Sequence, residues 1–423
     1  MTADDPGPGA RPVRAVLAVV LLATAGAAAL AWWVAGRPER HLAEAARQAA
    51  AGEWDEASAW LVLPESRPAT RDRALLLRAR IALELGRPAE AVAPLNAVDA
   101  DGPQAAEAAY WKGRALRAVG NTPLAMLWFR TALEKRPDDP ETLRWLAAAA
   151  YDQGDRTTLL RSLRRLTTVR PDDAPAWRTL ALVTLEEPDG GELEFDLARR
   201  AYETSLKLDP AQPRVRLELA GVLIKQGRFD EAAAQLDRCK GFVPESDRAA
   251  LLAEEAWERG DRAACREAVE RGLASAPNHP GLLARRGMLE QAEGRPEEAL
   301  AWLNRAVEAD PFESRWVYAR STALRVLGRL DEARRDAERA SRLKAAVVTL
   351  SDLNAEAAAR PLDAEVHLRA GKACEELGKP ALAASWYRSA LACDPRSIPA
   401  REALVRVGDG AMQAGFKKSP ILP

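Results

Sequence analysis

Histidine and cysteine are scarce in this chain, with three and four copies in 423 residues. His41, His279 and His367 are scattered, none is paired at metal-ligand spacing, and no C-x-x-C occurs. That pattern excludes the common zinc motifs. The first cysteine is Cys239, so no lipid-modified cysteine is expected near the N-terminus. Cys239, Cys265, Cys374 and Cys393 lie far apart and do not form the dense framework of a small disulfide-stapled domain. They read as small core residues. Also missing are a G-x-x-x-x-G-K-[ST] phosphate loop and a G-x-S-x-G nucleophile elbow. Acidic residues are plentiful, but on helical patterns they read as solvated faces. The expectation is therefore no catalytic residue, no cofactor, no metal and no enzyme activity. Excess charge is missing too. Sixty-one Lys and Arg against 62 Asp and Glu leave a net charge of −1. That argues against a general nucleic-acid binder. With 48% hydrophobic and 29% charged residues, the composition is that of a folded protein. Abundant Ala and an excess of Arg over Lys suggest a GC-rich bacterial genome.

What the chain does have is a glycine beat. Gly52, Gly86, Gly120 and Gly154 are 34 residues apart; Gly227, Gly260, Gly294 and Gly328 follow at steps of 33, 34 and 34, and Gly378 closes the series. A small residue sits seven positions before most of these (Ala79, Gly113, Ala147, Ala220, Ala253, Gly287, Gly371). Another sits five after several (Ala91, Ala125, Ala299, Ala333). Prolines end the periods at Pro103, Pro137, Pro171, Pro210, Pro244, Pro277, Pro311 and Pro395. Each type has a physical reason. Small residues let two helices approach, the turn glycine tolerates positive φ, and proline cannot continue a helix. Apolar residues between them recur at helical spacing, so each helix has one apolar face that only a stacked neighbour can bury.

A 34-residue period with these marks resembles the tetratricopeptide repeat family. The resemblance implies an all-α, right-handed superhelical solenoid of about ten helix-turn-helix repeats; ahead of it one transmembrane helix is expected. The repeats fall at about 38–71, 72–105, 106–139, 140–173, 174–212, 213–245, 246–279, 280–313, 314–347 and 364–397. The 174–212 unit carries an insertion around Glu186–Glu192, and Leu159 stands where a small residue is usual, which predicts looser packing there. The 314–347 unit lacks its terminal proline, so its second helix is expected to run on towards Ala359 and place a kink or seam in the array. The expected organisation is an N-terminal segment (1–14), a transmembrane anchor (15–36), the array (37–347), a helical linker (348–363), a last repeat with capping helix (364–412) and a flexible tail (413–423).

The anchor expectation rests on residues 15–35, which are uncharged and mostly apolar, flanked by Arg11 and Arg14 on one side and Arg37 and Arg40 on the other. Such a run covers about 30 Å as a helix, enough for a bilayer core. Trp32 and Trp33 stand where interfacial aromatics are expected. A cleaved signal, with small-x-small sites around Ala25–Ala29, is the alternative. The expected location is the cell membrane, single-pass, with the array on the extracytoplasmic (periplasmic) side.

The resemblance also places partner binding on the first helix of each repeat. Carried over, the concave groove is lined by Arg73, Arg80, Tyr110, Arg114, Arg117, Arg144, Tyr151 and Arg178, with Trp111 beside them. Guanidinium forks bind carboxylates in pairs and stack on rings, so an acidic or carboxylate-bearing protein or peptide is the implied partner. Asp247, Glu254 and Glu258 take comparable positions further on, with Trp257, so the groove is expected to change sign along its length. The two-Asn clamp of the chaperone-binding branch is missing: Leu76 and Arg80, or Tyr110 and Arg114, stand at its positions. The expected function is a membrane-anchored scaffold for protein interaction and complex assembly, with no nucleic acid and no metal. Two alternatives are a holder of exported or unfolded chains, as in cytochrome c maturation, and a non-catalytic substrate-delivery subunit.

Overall fold

The computed structural model describes Thr24 and residues 37–185 and 191–408. Among these there are 22 helices and no strand. Nine hairpins account for most of them. They begin with α1 (Arg37–Ala50), the short α2 (Trp54–Trp60) and α3 (Val62–Glu65), then α4 (Pro68–Glu84), α5 (Pro88–Asn96) and α6 (Ala105–Ala118). Next come α7 (Thr122–Lys135), α8 (Pro140–Gln153), α9 (Arg156–Val169), α10 (Ala174–Thr184), α11 (Glu192–Leu208), α12 (Pro213–Lys225) and α13 (Phe229–Arg238). The series continues with α14 (Glu245–Glu258), α15 (Arg262–Ser275), α16 (Pro280–Ala292), α17 (Pro296–Ala309) and α18 (Ser314–Val326). It ends with α19 (Leu330–Ala359), α20 (Ala364–Glu376), α21 (Pro380–Cys393) and α22 (Ile398–Val407). The anchor segment 15–36, apart from Thr24, the inserted turn 186–190 and the tail 413–423 lie outside the described residues. Among the described residues no helix is long and apolar enough to cross a membrane.

The hairpin turn follows from glycine. All nine glycines of the beat have positive φ, and among the described residues no other residue type does. At Gly86 (φ +70°) the Gly86 N–H donates to the Leu83 carbonyl and the Arg87 N–H donates to the Ala82 carbonyl at 2.8 Å. That six-to-one bond is the Schellman closure, which uses carbonyls the helix end would leave orphaned. The ends of the second helices follow from proline. Asp209, before Pro210, sits at φ −135°, ψ 99°, and Ala276, before Pro277, at φ −141°, ψ 86°. A following proline disfavours the helical region for the residue ahead of it, so the helix must stop there. The next helix is started by a side chain. The Asp139 carboxylate accepts from the Thr142 N–H at 2.8 Å, and Asp173 accepts from the Ala176 N–H at 3.0 Å. Each such cap stabilises its helix by about 1 kcal/mol.

Small residues inside the hairpins set the helix spacing. A Cβ on Gly287 would lie 2.7 Å from Leu303 Cγ, and one on Gly371 would overlap the Tyr387 ring. Leu159 is buried rather than loosely held. Helix α19 is a single 30-residue element reaching Ala359, because no proline stops it earlier.

The described residues separate into two compact units, one ending at Val119 and the other beginning at Gly120, itself a glycine of the beat. In the second unit the end returns to the start. Helix α21 packs on α7 and α8. Asn354 of α19 donates to the Gly154 carbonyl at the end of α8, at 2.8 Å.

Candidate partner-binding surface

In the first unit two adjacent first helices carry the surface. Arg80 projects from α4 and Tyr110, Trp111, Arg114 and Arg117 from α6, in successive turns. Three- and four-residue steps place Arg114 on the same face as Tyr110 and Trp111. The guanidinium of Arg80 lies 5.2 Å from the Trp111 ring centre. That of Arg114 lies 4.7 Å from Trp111 and 5.9 Å from Tyr110. The Tyr110 and Trp111 rings meet edge to face at 5.1 Å. Trp111 is buried and its indole N–H donates to Glu107 Oε1 at 3.3 Å. Two cations thus share one fixed aromatic ring. Each cation–π contact stabilises by about 0.5–1 kcal/mol at such a site. Arg80 is exposed, and Arg114 and Arg117 are half-buried. Lys112, on the same helix, has its ammonium pKa pushed down by burial.

The other expected groove residues are placed differently. Arg73 pairs with Glu39. Arg144 pairs with Asp173 and reaches Glu141 at 3.9 Å. Arg178 binds Glu218 through two bonds, at 3.0 and 2.6 Å. Tyr151 is exposed at the end of α8. The structure therefore brings Arg80, Tyr110 and Arg114 together around Trp111, while Arg73, Arg144 and Arg178 face carboxylates of neighbouring helices.

The same pairing continues along the second unit. Arg214 of α12 meets Asp247 of α14 at 2.6 Å, and Glu254 of α14 is held by Lys225 of α12 at 2.5 Å and by Arg285 of α16. Burial pushes the Glu254 carboxyl up, but hydrogen bonding from Lys225 and the charge of Arg285 bring it below its usual range. Two of the three acidic positions that suggested a change of sign, Asp247 and Glu254, are thus matched by cations one repeat away.

Sequence reasoning missed a second aromatic stack. Trp257 of α14 lies under Arg262 at 3.7 Å and Arg285 at 4.8 Å. Its sequence signal is an Arg on a neighbouring first helix roughly one repeat from the Trp, after it for Arg285 and Trp257 and before it for Arg80 and Trp111. Among the described residues there is no group of three His, Cys, Asp or Glu side chains that could hold a metal ion. All four cysteines are free thiols; Cys239, Cys265 and Cys374 are buried and Cys393 is half-buried.

Hairpins of this kind, glycine-turned and proline-stopped, make an all-helical repeat scaffold with an aromatic–arginine surface. The tetratricopeptide repeat models match residues 76–140, 251–314 and 318–398, and a second such model matches 192–255, together more than half of the chain. The chain belongs to the tetratricopeptide repeat family, whose members generally mediate protein–protein interaction and complex assembly and are typically non-catalytic scaffolds. No curated protein matches it. It is similar to a tetratricopeptide repeat protein from Parabacteroides merdae (16% identity, 60% of this chain and 98% of that one, TM-score 0.45). It is also similar to a chain of the Naa15/Naa10 complex bound to HypK-THB (14% identity, 91% and 70%, TM-score 0.45). A third similar chain comes from the APC/C hetero-tetramer Cut9-Hcn1 (15% identity, 88% and 90%, TM-score 0.38).

Proposed function

We propose that this protein is a membrane-anchored scaffold that recruits a protein partner by holding an acidic or carboxylate-bearing segment on the Arg80–Tyr110–Trp111–Arg114 surface. The observation that carries the reading is the sharing of the Trp111 ring by Arg80 and Arg114. Stacking holds the two forks in place, so less freedom is lost when a carboxylate docks. The rings supply rigid contact area beside the charge. The protein acts by binding, with no turnover.

Anchoring is part of the same proposal. The uncharged run 15–35 between paired arginines supports a single span, and a periplasmic array is proposed with it. A C-terminal tag on the full chain in intact spheroplasts tests this. Digestion by added protease with the full-length band present beforehand agrees with the proposal; protection of the tag, or a shortened chain, overturns it.

Binding is tested by co-purification from crosslinked membranes. Arg80→Glu with Arg114→Glu is expected to abolish recovery of a stoichiometric partner while the helical signal is unchanged. A double variant that folds and recovers the partner normally overturns the reading. Suppressed aggregation of many unrelated clients, insensitive to these charges, favours the holder function instead.

A further inference from the structure

The second unit is closed by contacts between elements 200 or more residues apart, and these contacts are chemically unlike the rest of its core. Gln153 Nε2 donates to Ser385 Oγ at 3.3 Å, Asn354 Nδ2 to the Gly154 carbonyl at 2.8 Å, and Arg130 Nη1 to the Ala358 carbonyl at 3.3 Å. Gln153, Asn354 and Ser385 are all buried. Three more buried polar atoms here, Gln153 Oε1, Asn354 Oδ1 and the Trp386 indole nitrogen, make no hydrogen bond among the described residues. Beside them a cavity of about 20 Å³ remains, lined by Met126, Ala357 and Trp386 among others. Between repeats the core is mainly Leu, Ala and Val, as around Leu219, Leu223 and Leu236.

A buried amide oxygen without a partner costs about as much as a neutral hydrogen bond contributes, so the polar seam gains little net free energy from closing. In a repeat array each interface adds its own term, and the weakest interface opens first. The cavity beside the orphaned groups holds at most one water in the closed form, so the remaining ones meet water only when the seam opens. Helix α19, which runs 30 residues without a turn, carries Asn354 and Ala358 as one lever, so a small rotation at its start withdraws both bonds.

We propose that the second unit alternates between a ring, closed by Arg130, Gln153 and Gly154 against α19 and α21, and an open array in which that seam is hydrated and every repeat interface is kept. Opening exposes the α7–α8 face and the α21 face together.

The test is a distance measurement across the seam. Spin labels are placed at Arg161 of α9 and Ala381 of α21, both exposed, in a full-length Cys393→Ser background that leaves only buried native thiols. The wild-type pair is expected to show a main short distance and a minor long one. The long population grows in urea well below the global transition. Asn354→Ala removes one closing bond and is expected to raise the long-to-short ratio about fivefold with far-UV helicity unchanged. A single distance in wild type that persists up to global unfolding overturns the proposal. So does an Asn354→Ala protein that loses helicity without any second distance, because the seam would then be ordinary core.

Discussion

Arg178 and Glu218, 40 residues apart in sequence, hold each other through two near-parallel bonds between successive first helices. The pair joins one repeat to the next, so Arg178 contributes to the array's stability. Arg178→Ala is expected to lower the unfolding free energy by about 1–2 kcal/mol, the lower part of the range for a stranded charged group, because the guanidinium is partly screened by solvent. Urea titration measures it. Adding Glu218→Gln in the Arg178→Ala background is expected to recover part of the loss, since no charge is then left half-buried. An equal or larger loss in the double variant would refute the pairing as the cause.

Two glycines test two different reasons for glycine. Gly86 has φ +70° and open space around a would-be Cβ, whereas a Cβ on Gly287 meets Leu303 Cγ at 2.7 Å and the Ala299 carbonyl at 3.0 Å. Gly86→Ala is expected to cost about 1–2 kcal/mol through backbone strain, and Gly86→Asn less, because Asn tolerates the left-handed region. Gly287→Ala is expected to cost about 1–3 kcal/mol through overpacking, with Gly287→Asn worse still. The opposite ranking of Ala and Asn at the two sites is the discriminating result in thermal denaturation.

His367 is fully buried beside Trp386, and burial pushes its pKa below the ordinary 6.5. Between the lowered folded value and about 6.5 the unfolded chain binds more protons than the folded one, so stability rises with pH through this window and is lost on acidification. His367→Gln is expected to flatten the slope of unfolding free energy against pH below 6.5. An unchanged slope would mean that the ring titrates alike in both states.

Glu290 gathers three arginines, with Arg266 at 2.9 Å, Arg286 at 2.9 Å and Arg295 in contact. Burial pushes its carboxyl up, but hydrogen bonds from Arg266 and Arg295 and the charge of Arg286 hold it below the ordinary 4.5. A carboxyl lowered on folding stabilises the protein above its unfolded value, and that stability is lost as pH falls through the folded one. Glu290→Gln is expected to destabilise the neutral-pH protein by about 1–3 kcal/mol and to remove part of the acid sensitivity below pH 4.5. Acid titration of unfolding in both proteins checks the two effects together.

The thiols rank by burial. Cys374, fully buried, is pushed up to about 12, and Cys393, half-buried, is raised less by the same cause. Only thiolate reacts. At pH 8 the native protein is expected to release one equivalent with a chromogenic disulfide reagent, slowly and from Cys393, and four equivalents when unfolded. Rapid reaction of Cys374 in the native state would contradict its burial.

Much of the fold was legible because it is local. A glycine that needs positive φ, a proline that stops the helix before it and a carboxylate that caps the next one each act within five residues. Gly86, Pro210 and Asp139 therefore show in the sequence what they do in the structure. The run of α19 to Ala359 is the same logic applied to a missing proline. The candidate surface was legible in part: family phase put Arg80, Tyr110 and Arg114 on first helices, and the structure sets them around Trp111. Phase alone treated Arg73, Arg144 and Arg178 alike, because it says which face a side chain is on and not which carboxylate lies opposite.

By itself the sequence determined the repeat, its period, its hairpin turns and the apolar face of each helix, since all of these follow from backbone preferences and spacing within about 34 residues. Only the tertiary structure decided which arginines are joined to Glu39, Asp173 and Glu218, where the chain divides at Val119, and that Asn354 meets Gly154. Small rotations between hairpins add up over many repeats, so whether the end of an array reaches its beginning depends on their sum. No single residue pattern records that sum.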